Sequence, residues 1–128
     1  MKCPPFGLCV PVSYERARDV DTLEVSLPAS GLVWAIRLVG VWGPELHRGP
    51  QDSQKLAREG KEWIELFLRS QSDLRLHIEL PHTPNVLKSL TFDRVPGVLY
   101  VGPGEMTVNK MIVNRGYASS TKGGRLGE

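Results

Sequence analysis

Cysteine is scarce in this chain, which holds Cys3 and Cys9 among 128 residues. Two cysteines make no disulfide framework, and five intervening residues are not the close pair of a structural zinc site, so a buried or idle thiol is expected. Histidine is scarce too: His47, His77 and His82 show no helical i, i+4 pairing, which argues against a His-based metal site. An excess of one charge is missing, with 16 basic against 14 acidic residues and a net +2. That excludes the bulk field of a histone-like binder and makes any anion contact local. Long hydrophobic runs are also missing. The longest, Leu32 to Trp42, is interrupted by Arg37 and falls far short of the ~20 residues of a membrane-spanning helix. Lys2, Pro4, Pro5 and Pro11 break any apolar region of a secretory signal, so a cytoplasmic or particle-packaged protein is expected. There is no internal repeat, no dinucleotide fingerprint and no P-loop. Gly102-Pro103-Gly104 lacks the Lys-Ser/Thr that would hold phosphate and reads instead as a hairpin turn.

What remains is 41% hydrophobic and 23% charged, enough for one globular domain burying about two thirds of its unfolded surface. Val10 to Arg18, Thr22 to Leu27 and Leu32 to Val41 read as a three-strand meander, with turns at Asp19-Val20-Asp21 and Pro28 to Gly31. Asp52 is a fitting N-cap, and Leu56, Trp63, Ile64, Phe67 and Leu68 give an amphipathic helix from about Gln54 to Arg69, weakened slightly by Gly60. Leu74 to Leu80 alternates, which sends its leucines and isoleucine to the core and Arg75, His77 and Glu79 to water. Pro81 to Asn85 is a turn. A strand from about Leu90 to Val101 then leads to a short helix through Val108, Met111, Ile112 and Arg115, closed by Gly116. The order predicts an α+β, mainly β fold: a five-stranded OB-fold barrel with one main helix and a short second one. The expected domain covers residues 11–118, between an extension at 1–10 and a flexible tail at 119–128.

Four features carry chemistry. Arg37 stands in an apolar strand, where a guanidinium costs several kcal/mol unless something anionic meets it. The alternative is an arginine whose head escapes at the barrel rim to a surface acid. Glu45 follows the rigid Gly43-Pro44, as a solvated loop glutamate would also do. Asp19 and Asp21 can converge on one cation, although Asp-x-Asp is also ordinary in turns.

Together these residues resemble a known family. Asp19-Val20-Asp21-Thr22, followed by Arg37-Leu38-Val39-Gly40-Val41-Trp42-Gly43-Pro44-Glu45, is similar to the two leading motifs of the thermonuclease family, the staphylococcal-nuclease-like domains. Thr91-Phe92-Asp93-Arg94 resembles the family's Phe-Gly-Arg segment. Val108-Asn109-Lys110-Met111-Ile112-Val113-Asn114-Arg115-Gly116-Tyr117-Ala118 resembles its Val-Asn-x-x-Leu-Val-x-x-Gly-x-Ala helix. Compact, phage-encoded relatives are closest in feel. The resemblance implies a calcium-dependent endonuclease that hydrolyses DNA or RNA with little base preference. In that scheme Asp21, the Gly43 carbonyl and nearby Asp19 hold Ca2+, Arg37 and Arg94 clamp the phosphate, and Glu45 orients or deprotonates the attacking water. A second register would set Gly97, not Arg94, at the clamp position.

Two departures stand out. Trp42 replaces a calcium-ligating aspartate, and an indole donates one N–H and cannot coordinate a hard cation. Val20 replaces a glycine, and a β-branched residue resists positive φ. The competing expectation is therefore a weakened or inactive nuclease-like domain that binds nucleic acid through Arg37, Arg94 and Trp42, or serves as a structural part of a larger particle. The short C-terminal stretch also suggests apolar barrel surface covered by a second copy or a larger assembly.

Overall fold

A computed structural model of the protein describes residues 7–28, 30–44, 51–79 and 94–128. Expectations for Cys3, Glu45, His47, the 81–85 turn, His82 and the 91–93 stretch lie outside those residues. Within them the elements are β1 (Leu8–Asp19), β2 (Thr22–Ser26), β3 (Val33–Leu38), α1 (Gln51–Arg69), β4 (Leu74–Ile78), β5 (Arg94–Val101) and α2 (Val108–Asn114).

The strands close into a barrel in the order β1-β2-β3-β5-β4. Neighbours run antiparallel except β3 and β5, which are parallel. At 12 residues β1 is long enough to serve two partners: Leu8–Val12 pairs with β4 and Ser13–Asp19 with β2. Register shifts between Tyr14 and Arg16, and between Ala17 and Asp19, let it bend from one to the other. This is the five-stranded OB-like α+β barrel with a long and a short helix that the element order predicts.

Strand alternation fills the interior. In β5, Val95, Gly97, Leu99 and Val101 are buried in turn. In β3, Ile36 and Leu38 are buried, which puts Arg37 on the opposite, outer side. β3 stops at Leu38, short of the expected Val41, because Gly40 turns the chain at φ +72. In β4, Leu74, Leu76 and Ile78 are buried as expected, but His77 does not face water and is only 4% exposed. Gly7, just ahead of β1, lies against it: a Cβ there would come within 3.1 Å of the His77 Nε2. Cys9 corrects a second expectation, being disulfide-bonded rather than an idle thiol.

α1 begins at Gln51, so Asp52 lies inside the first turn and not at the N-cap. Ala57, Gly60, Ile64 and Leu68, spaced by three and four, form its buried stripe. Gly60 is a point of close approach, since a Cβ there would lie 2.7 Å from Val20 Cγ1 and 3.1 Å from Tyr117 Cβ. Glu65 fastens α1 to β1. It accepts from the Tyr14 hydroxyl, from the Ala17 N–H at 2.9 Å and from Arg69 Nη2 at 2.8 Å.

The turn through Gly102-Pro103-Gly104 brings Thr107 back to bridge Tyr100. Thr107 then caps α2, its hydroxyl accepting from the Lys110 N–H at 3.2 Å. Gly116, at φ +83, ends the helix while the Tyr117 N–H returns to the Ile112 carbonyl. Beyond it, Trp42 and Ser119 exchange both backbone hydrogen bonds, at 2.8 and 3.0 Å, and the Gly127 N–H donates to the Ala118 carbonyl. Among the described residues no helix is long and apolar enough to cross a membrane.

Candidate functional site

Three strand ends meet at one corner of the barrel. Register sets Thr22 opposite Arg37 across β2 and β3, and Arg94 opposite Ala35 across β3 and β5. Ala35 and Arg37 project from the same side of β3, so Arg94 is Arg37's diagonal neighbour on that face.

The side chains interlock. Asp21 Oδ1 accepts from the Thr22 hydroxyl at 3.1 Å, and the Thr22 oxygen accepts from Arg94 Nη1 at 3.2 Å. Arg37 Nη1 donates to the Leu38 carbonyl at 2.6 Å and to the Asp21 carbonyl at 3.5 Å. Its Nη2 stands 3.9 Å from Asp21 Oδ2, a long ion pair between side chains 17% and 22% exposed. The Arg37 guanidinium lies over the Trp42 ring, Cζ 4.5 Å from the centroid, and Lys122 Nζ is 6.0 Å from the same centroid. Burial lowers the Arg37 pKa, Asp21 raises it, and the like charge of Arg94 lowers it again. A guanidinium keeps its proton regardless, so Arg37 remains a cation at this corner.

Most of the sequence-predicted residues are thereby gathered. Asp21, Arg37, Trp42 and Arg94 join through the contacts above. Asp19 pairs with Thr22 in the β1–β2 register and so belongs to the same turn. Gly43 reaches it through Val20, whose Cγ2 lies 1.9 Å from where a Gly43 Cβ would be. Val20 is thus a plug: 1% exposed, its methyls fill the space beside both Gly43 and Gly60. Glu45 lies outside the described residues. Gly97 sits in the barrel wall, where a Cβ would meet Leu76 Cδ1 at 2.7 Å, and it is the Arg94 guanidinium that reaches Thr22.

Two residues escaped sequence reasoning. Thr22 bridges Asp21 to Arg94, a role that its place in the Asp-x-Asp-Thr motif does not reveal. Asn109 is 6% exposed. It accepts from the Leu99 N–H at 3.0 Å and donates to the Val39 carbonyl at 2.9 Å and the Gly97 carbonyl at 3.3 Å. Its spacing from Ile112 and Val113, three and four residues, was the available signal of a buried polar group on the core face of α2.

Calcium needs six to eight oxygens. Among the described residues no three His, Cys, Asp or Glu side chains come together. Asp21 is already engaged by Thr22 and Arg37, and the Trp42 ring faces a cation of the protein's own. Asp21, Asp19 and the Gly43 carbonyl alone supply fewer oxygens than that ion needs among the described residues. Arg37 and Arg94 do present two forked cationic donors on one outer face, an arrangement suited to a phosphate. A cavity of about 880 Å³ between β5, α2 and the 120–128 segment includes Tyr100, Asn109 and Lys110 in its lining but none of the corner residues. No family model matches the chain, and no curated protein does.

Proposed function

We propose that this chain is a nuclease-type phosphodiesterase that holds the backbone of DNA or RNA between Arg37 and Arg94. The convergence of these two guanidiniums on the Asp21–Thr22 corner carries that reading. Forked N–H donors match phosphate oxygens and strengthen their grip as charge builds on the phosphorus in the transition state. A grip on the phosphate addresses what every nucleotide shares, so base preference is slight. Glu45, eight residues beyond Arg37, takes the proton from the attacking water. The motif resemblance to the thermonuclease family supports these roles. No step is routed through calcium, and the guanidiniums supply the charge neutralisation.

The Trp42 ring favours a second reading, in which the domain holds a strand without cutting it or acts as a structural part of a larger assembly. Exposed Leu32, Val33, Val39 and Met106 supply apolar surface for a second copy or another partner.

Incubating the purified chain with denatured DNA, in calcium or in chelator, separates these readings. Cleavage abolished by Arg37→Ala and by Glu45→Ala supports the enzyme, and cleavage indifferent to both overturns it. Binding that weakens with salt, survives chelation and cuts nothing supports the second reading. A calcium requirement would mean that donors outside the described residues complete the shell. Trp42→Asp restores a carboxylate and is expected to strengthen calcium binding in calorimetry; no change would mean that the site is assembled differently.

A further inference from the structure

We infer that Trp42 is a base-stacking platform that makes the corner select single-stranded over duplex nucleic acid. The inference rests on the phosphate-gripping role proposed for Arg37 and Arg94, and adds to it the kind of strand that fits. Trp42 is 39% exposed, among the few large apolar side chains left open to solvent in the described residues. It is also held in place: both backbone hydrogen bonds to Ser119 fix its peptide unit, and the Arg37 guanidinium packs against its ring. A fixed aromatic ring loses little freedom on receiving a partner.

An indole has two faces, and one guanidinium occupies one of them. Lys122 Nζ stands 6.0 Å from the same ring centroid and Asp21 pairs with Arg37, yet the ring remains open enough to solvent to seat a nucleobase beside these cations. A strand whose phosphate lies on the two guanidiniums brings its adjoining base to the ring. Every base has a π-face, so the contact is sequence-tolerant and consistent with a grip that addresses only the backbone. In a duplex both faces of each base are taken by the stack, and freeing one costs a few kcal/mol. Single strands pay no such penalty.

The test measures affinity in chelator for three labelled ligands: an oligothymidine strand, the same strand with abasic residues, and a duplex. The unsubstituted protein is expected to bind the thymidine strand about tenfold more tightly than the abasic one, and more tightly than the duplex. Trp42→Leu is expected to erase the preference for bases, and Trp42→Phe, which keeps a smaller ring, to retain part of it. Equal affinity of the unsubstituted protein for the thymidine and abasic strands overturns the stacking role, even if Trp42→Leu fails to fold. So does a Trp42→Leu protein that keeps the full preference. Failure of the phosphate grip itself is distinguishable, because the abasic strand would then not bind at all.

Discussion

The corner where Arg37 meets Arg94 and the seam where Glu65 meets Tyr14 are built from the same kinds of group, yet their balances are opposite. In the seam one carboxylate gathers a hydroxyl, a backbone N–H and a guanidinium, and Arg69 also packs against the Tyr14 ring at 5.4 Å. Donors and acceptors there match, and the result fastens a helix to a strand. At the corner, among the described residues, Asp21 Oδ2 lies 3.9 Å from Arg37 Nη2, Arg94 is held through Thr22, and an indole packs against the Arg37 fork. A closed polar network holds a fold together, whereas forked donors met by a long ion pair and an indole face are suited to an anion from outside.

That contrast is open to attack by substitution. Arg37→Ala should have the largest effect, about a hundredfold or more in cleavage, with a small change in melting temperature; a large melting shift would make Arg37 structural and break the distinction. Asn109→Ala orphans the Leu99 N–H and two carbonyls, so a loss of about 2–3 kcal/mol is expected by urea titration. Glu65→Ala should cost about 2 kcal/mol, lowering the melting temperature by several degrees while strand binding stays unchanged. Tyr14→Phe, which removes one donor of the seam, should cost about 1 kcal/mol in the same assay.

Acid should discriminate between the two regions as well. Burial pushes the Glu65 carboxyl up, but the Tyr14 hydroxyl, the Ala17 N–H and Arg69 outweigh it and hold the group below its ordinary value of 4.5. Glu24 is held down first by its hydrogen bond from Arg18, against burial, and then by Arg16. Carboxylates with lowered folded values contribute stability that is fully present above their unfolded value and fades as pH falls through the lowered one. Urea midpoints should therefore drop below about pH 4.5, and Glu65→Gln should flatten that drop. An unchanged slope in the variant would count against the seam as an acid-sensitive fastening.

Strand periodicity and turn residues made the barrel legible, because alternation in β4 and β5 and the glycines after β5 and α2 are local signals. Arg37 was legible for the same reason, as a charge in an apolar strand. His77 was misread because its cover comes from Gly7, distant along the chain, which no alternation rule encodes. Thr22 and Arg94 meet only because β3 and β5 lie parallel, a pairing set by barrel closure and invisible in either segment alone. Val20 looked like an obstacle to a glycine-requiring turn, and only the space beside Gly43 and Gly60 explains its presence.

Trp42 is moored at Ser119, so the ring can be reached by editing a stretch of chain that never enters the barrel ladders. A protease nick after Ala118 would slacken that mooring while the strands stay shut.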